Sequence, residues 1–210
     1  MSEYGDMTLD AYRDSLASEE PTPGGGTASA VALSQGAALA VMVCNLTTSS
    51  EKWKDGWKDA EVCRELATPL LERGYELAYE DAHSFDSVMD AFRLPKNSEA
   101  EIQIRREAIR TGTLEAAKVP LETARLASKL LDALIPLANT GNANAVTDVG
   151  VAGLLTSAAC KGALLNVEIN LLSLPDELGT VLRIELDEIR ESCHKSSRDV
   201  MQAVNSRMHS

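Results

Sequence analysis

In residues 80–92, EDAHSFDSVMDAF, Asp81 and Phe85 stand four apart, with Ser84 and Val88 near the same side if the stretch is helical. A carboxylate and an aromatic ring on one face could grip a polar heterocycle, and Asp81 could exchange protons with it where burial raises its pKa. The same spacing also fits a plain solvated face made of Glu80, Asp81, Asp86 and Asp90. His83 is a tempting general base, but two positions from Asp81 it faces elsewhere and ranks behind it.

Upstream, PTPGGGT at residues 21–27 sets the most and the least restricted residues at the mouth of a long apolar segment. It is not a phosphate loop, which needs a lysine, and not a G-x-G-x-x-G turn after a strand. Two roles stay open. Free amides at a helix start can receive an anionic or polar group, and Gly24 to Gly26 can let a neighbouring helix pack closely.

Polar groups gather again in TGNANAVTD, where Asn142, Asn144 and Asp148 surround a helix junction that caps alone would explain. Farther on, NVEIN puts Asn166 and Asn170 on one face of an apolar helix, where buried amides require partners. The 18 positions from Asp148 to Asn166 span roughly 27 Å of helix. The two clusters therefore cannot surround one small reacting centre within a subunit; one could bind another part of an extended ligand or line a subunit contact. Trp53 and Trp57 read as a helix-edge anchor, and Cys193 beside His194 is no nucleophile–base pair. No metal-ligand set, serine elbow or nucleotide fingerprint is visible, which favours a site without metal or cofactor.

The elements that must carry these residues are helical throughout, because no run shows strand alternation. Helices are expected over about 8–18, 27–48, 57–93 with a kink or restart at Pro69, and 98–139 with interruptions near Pro120 and Pro136. Ser98 and Glu101 form a capping box at the start of the last of these. A further helix runs to about Leu174, and Pro175 and Asp176 open a C-terminal amphipathic helix reaching near Met208. The expected fold is all-α, a single domain over residues 1–210, built as an antiparallel bundle of long helices with short loops.

Composition narrows the partners. Of 210 residues 44% are hydrophobic but only 4% aromatic, so the core is aliphatic and suited to close helix packing. The net charge of −12, without a basic cluster, argues against nucleic acid and anionic membrane surfaces. Cys44, Cys63, Cys160 and Cys193 are scattered, which points to reduced, buried thiols and a cytoplasmic protein. The acidic N-terminus shows no signal peptide. Residues 27–50 carry no charge and are long enough to span a bilayer, but their Ala, Ser, Thr and Gly content reads as a buried central helix.

Taken in order, PTPGGGTASA, AVMVCNLT, EDAHSFDSVMDAFRLPK, AAKVPLETA, GNANAVTDVGVAGLL and ACKGALLNVEINL resemble the cyclodeaminase/cyclohydrolase family, the all-helical domain fused to formiminotransferase in some organisms. The resemblance runs from about residue 8 to 175. Thr27 departs from the serine usual after the glycines but keeps the hydroxyl.

The resemblance implies a tetrahydrofolate derivative as substrate, no cofactor, a homodimer, and a catalytic aspartate that maps to Asp81. It makes Pro23, Gly24, Gly25, Gly26, Thr27, Phe85, Asn142, Asn144 and Asp148 folate-contacting candidates. Lys96 and Lys118, with Lys161, are candidates for the anionic glutamate tail. Two reactions are implied. The first is formiminotetrahydrofolate cyclodeaminase, closing 5-formiminotetrahydrofolate to 5,10-methenyltetrahydrofolate with loss of ammonia, in histidine or purine breakdown beside a separate formiminotransferase. The second is methenyltetrahydrofolate cyclohydrolase, opening the methenyl form to 10-formyltetrahydrofolate. A non-catalytic folate-binding helical protein is the remaining reading.

Overall fold

The structure, a computed structural model, describes residues 3–209. Seven α-helices account for most of them: α1 (Leu9–Leu16), α2 (Gly25–Thr48), α3 (Trp57–Ala67), α4 (Leu70–Arg93), α5 (Glu99–Thr140), α6 (Val146–Leu172) and α7 (Thr180–Met208). The all-α bundle expected from the sequence is what the chain forms, and no strand occurs among the described residues. Pro69 does restart the helix, standing between α3 and α4.

Two expectations are corrected. Residues 99–140 form one uninterrupted helix with Pro120 and Pro136 inside it. Each proline removes an N–H donor and costs about 3 kcal/mol in an exposed helix interior. Here Pro120 lies between buried Ala117 and Leu121, and Leu130, Leu131, Leu134 and Leu137 bury the rest of the stripe. Burial of several leucines at about 1.5–3 kcal/mol each outweighs the penalty. The C-terminal helix likewise begins at Thr180 rather than at Pro175, because Gly179, at φ 76°, reverses the chain just before it. The capping box of Ser98 and Glu101 is present at the start of α5.

The core is aliphatic, with Leu33, Leu77, Leu121 and Val167 among its fully buried members. α2 stands at its centre, against α4 on one side and α6 on the other. Gly74 of α4 lies where a Cβ would come 2.8 Å from the Ala30 carbonyl, so α4 approaches α2 at backbone distance. Two turns farther along α4 comes Asp81. α2 and α6 run antiparallel: Gly25 lies beside Asn166, while Asn142, just before α6, bonds Thr47 at the other end of α2.

Both α2 and the segment Ala143–Leu172 are long and apolar enough to cross a membrane, and 56% of each window is buried within the bundle. The four cysteines are buried free thiols.

Candidate active site

The C-terminal end of α6 meets the N-terminal end of α2, and α4 packs against α2 beside them. At this junction lies a cavity of about 330 Å³. One wall is the loop Pro21, Thr22 and Gly24 to Gly26. A second wall is α4, through Asp81, Ser84, Phe85 and Val88, and a third is α6, through Asn166, Ile169 and Asn170. The i, i+4 relation of Asp81 and Phe85 puts both on the same wall, as their spacing requires. Asp81 is the one acidic or basic side chain among the described residues lining it.

Asp81 is placed by the glycine loop. Gly24 is the N-cap of α2 and has no side chain to satisfy the first amides of the helix. The carboxylate of Asp81 occupies that position from another helix. It accepts from the Thr27 hydroxyl at 3.2 Å and from the Thr27 backbone N–H. The three glycines all have negative or extended φ, so left-handed backbone is not their purpose. Space is. A Cβ on Gly26 would stand 2.3 Å from Asp81 Oδ1 and 2.5 Å from Oδ2, inside the volume of the carboxylate.

Opposing influences set the proton affinity of Asp81. Burial, the larger, raises its pKa above the usual carboxylate range, and the two Thr27 donors pull it back. The positive end of the α2 dipole acts in the same sense as the donors. A carboxylate held this way takes up a proton more readily than an exposed one and can return it, which is the property required of a single acid/base group.

Asn166 donates its amide N–H to the Gly162 carbonyl one turn back, at 2.9 Å, which leaves its side-chain oxygen available. Gly162 in turn lies against Ser29 of α2, so the α6 wall is held close to the loop wall. Asn170, the next turn on, reaches the cavity edge. These two amides were visible in the sequence as polar residues on an apolar helix, but their partner site was not.

The remaining sequence candidates lie elsewhere. Pro23 is buried behind the loop and faces a neighbouring cavity of about 230 Å³, with His83, Tyr79 and Asp86. His83 stacks on Tyr79 with ring centroids 4.0 Å apart and does not line the Asp81 cavity. Lys118 is ion-paired to Glu115 at 2.5 Å in a charged groove with Arg73 and Arg125. Lys161 lines a groove between α6 and α7, and Lys96 is exposed in the turn between α4 and α5.

Asn142 caps the turn before α6, accepting from the Asn144 backbone N–H at 3.0 Å. Asn144 is exposed and Asp148 lies in the first turn of α6, at the opposite end of that helix from Asn166. Within one subunit the structure therefore brings together Asp81, Phe85, Thr27 and the glycines, but none of the three lysines, nor Asn142, Asn144 and Asp148.

This architecture has known relatives. The Formiminotransferase-cyclodeaminase family matches residues 8–181. A methenyltetrahydrofolate cyclohydrolase of Methylorubrum extorquens is 34% identical over 206 residues, 98% of this chain and 99% of that one. The formimidoyltransferase-cyclodeaminase of Rattus norvegicus is 32% identical over 176 residues, and the match spans only 32% of that longer protein. A formiminotetrahydrofolate cyclodeaminase from Thermotoga maritima superposes with a TM-score of 0.86 at 29% identity, covering 97% of this chain and 98% of that one. A helical bundle shared over its whole length, and a family match running from the first helix into the start of the last, place this chain in the formiminotransferase-cyclodeaminase family.

Proposed function

We propose that the chain is a methenyltetrahydrofolate cyclohydrolase that uses Asp81 as its general acid/base. The observation that carries the reading is the desolvated Asp81 carboxylate, held over the start of α2 at the wall of a cavity with no other acidic or basic lining group among the described residues. The likeness in full length to a cyclohydrolase moves the hydrolase ahead of the lyase, which the motifs alone put first.

Water adds to the electrophilic methenyl carbon while ionised Asp81 takes one of its protons, giving a neutral carbinolamine. The carbon–N5 bond then breaks as Asp81 returns that proton to N5, and the hydroxyl proton leaves to solvent as the formyl C=O forms on N10. One water is consumed and one proton released. The side-chain oxygen of Asn166 and the amide of Asn170 are the polar groups positioned to hold the water or the adduct's ring nitrogens. Phe85 offers an aromatic face to the ring.

The second reading, formiminotetrahydrofolate cyclodeaminase, is favoured by the likeness to the Thermotoga maritima structure. It uses the same carboxylate: N10 attacks the carbon of the protonated formimino group, N5–CH=NH2+, Asp81 accepts the N10 proton, and the resulting amino group takes that proton and leaves as ammonia, giving the methenyl cation. This lyase would draw its substrate from a separate formiminotransferase.

Purified protein offered each substrate separates the two. Loss of the methenyl chromophore faster than the spontaneous rate, with none formed from 5-formiminotetrahydrofolate, is the expected result. Appearance of that chromophore with ammonia from the formimino substrate would reverse the order. Inertness toward both, with folate still bound, would leave a binding protein.

A further inference from the structure

α6 and α7 lie antiparallel, and their register is fixed at several points. A Cβ on Gly153 of α6 would come 2.8 Å from Val200 Cγ1 of α7, and one on Gly150 would come 3.3 Å from Val204 Cγ1, so the two helices approach closely there. Toward the other end, Arg183 of α7 donates to the Leu171 carbonyl of α6 at 2.5 Å. Seven positions on from Gly153 in α6 stands Cys160, and seven positions back from Val200 in α7 stands Cys193. Seven residues is close to two helical turns, so both cysteines fall on the faces that already touch. Their thiols lie within hydrogen-bonding distance of each other.

Cys44 of α2 and Cys63 of α3 make a second such pair. All four cysteines are thus matched thiol to thiol as free, buried groups.

The surroundings single out the first pair. The Ser157 hydroxyl donates to Cys193, and the Lys161 ammonium is close enough to act on it. Both side chains line a groove of about 530 Å³ between α6 and α7. The Cys193 thiol therefore sits one side chain below the groove floor. Lys161 and Arg198 are cations of that lining, and no carboxylate is among its described residues.

The two thiols also differ in how readily they ionise. A hydrogen bond from Cys160 holds the Cys193 thiol below its ordinary range, against the opposing effect of burial, and Lys161 and Ser157 act in the same sense as the bond. The same bond, with burial, pushes Cys160 up, and its S–H can otherwise turn to the Ala124 carbonyl at 3.5 Å. One sulfur is thus prepared to attack and its neighbour to resolve.

We propose that Cys160 and Cys193 form a redox-active dithiol, oxidised by small peroxides that enter through the α6/α7 groove, with Cys193 as the attacking thiol. The Cys193 thiolate displaces hydroxide from hydrogen peroxide and becomes a sulfenic acid, and the hydroxide takes up the proton that the thiol released. The Cys160 sulfur then attacks the sulfenic sulfur, and water leaves with the Cys160 proton. Two thiols give one disulfide and one peroxide gives two waters, two electrons passing from sulfur to oxygen. A dithiol reductant reverses the change. The bond ties α7 to the helix that carries Asn166 and Asn170 of the Asp81 cavity.

The test needs no folate. Folded wild-type protein is treated with an equimolar amount of hydrogen peroxide, the remaining thiols are blocked with iodoacetamide in denaturant, and the peptides are mapped by mass. The expected product is a linked pair of peptides holding Cys160 and Cys193, lighter by two hydrogens and restored by dithiothreitol, while Cys44 and Cys63 are alkylated. In Cys160→Ser the resolving thiol is gone, and dimedone is expected to trap a sulfenic acid at Cys193. Cys193→Ser should leave Cys160 reduced. Failure of the disulfide to form in the wild type would overturn the proposal. So would oxidation of both cysteine pairs at one rate, which marks reaction through the unfolded chain, or a sulfenic acid gathering on Cys160 in Cys193→Ser.

Discussion

Gly26→Ala is expected to lower kcat by about 100-fold or more, with little change in melting temperature. The new methyl would lie 2.3 Å from Asp81 Oδ1, a separation no real contact tolerates. The carboxylate is the end of a short side chain and can swing aside, so the bundle survives. It then loses the Thr27 donors and its place at the cavity wall, and a displacement of about 1 Å in a reacting group is enough for such a loss.

Gly25→Ala provides the comparison. Its methyl would meet nothing nearer than Asn166 Nδ2 at 3.6 Å, an ordinary contact. Asp81 stays in place, and the effect of a methyl at the cavity wall is expected in KM rather than kcat. Equal kcat losses in the two variants would show that the glycines serve the loop as a whole and not the carboxylate.

Asp81→Asn is expected to cost about a thousandfold in kcat/KM, within the range for removing a general acid/base. The amide keeps the shape of the carboxylate, and its oxygen can still accept from Thr27, but it cannot exchange a proton. The same variant is expected to be more stable than the wild type at pH 7. Burial raises the pKa of Asp81 in the folded protein, so its neutral form is the one folding favours. The stability this group contributes is present below the unfolded pKa of about 3.9 and is lost as pH rises through the higher folded value. At pH 7 the wild type therefore bears the cost of a buried charge that the amide avoids. Thermal melts should place the variant above the wild type at pH 7, with the gap closing toward about pH 4. A variant less stable at pH 7 would mean that the Thr27 bonds outweigh burial.

What the sequence disclosed, and what it hid, divides by distance along the chain. Two helix starts were local matters, settled by Ser98 with Glu101 and by Pro69, whereas Pro175 did not open the last helix, which begins at Thr180. Asp81 and Phe85 lie on one wall because four residues is a helical turn. Pro120 and Pro136 misled because their local cost is visible in the sequence, while the aliphatic packing that overrides it comes from distant elements. The bond from Thr27 to Asp81 joins residues 54 apart, and nothing in either segment announces it. Asn166 and Asn170 stood out as amides on an apolar helix, but their use depends on α6 running antiparallel to α2. The glycines were legible as either ligand donors or packing residues. The packing role is geometrically explicit at Gly26, and what packs there is the carboxylate itself.

The most direct test of Asp81 as the acid/base group is the pH dependence of kcat/KM for methenyl hydrolysis in the wild type, Thr27→Ser and Thr27→Val. The wild-type acid limb should lie above the ordinary carboxylate range, because burial raises the Asp81 pKa. Thr27→Val removes a donor that favours the ionised form, so its limb should move to still higher pH, while Thr27→Ser, which keeps the hydroxyl, should follow the wild type. An acid limb at the same pH in all three proteins would mean that the titrating group is not Asp81, and the account of this site would fail.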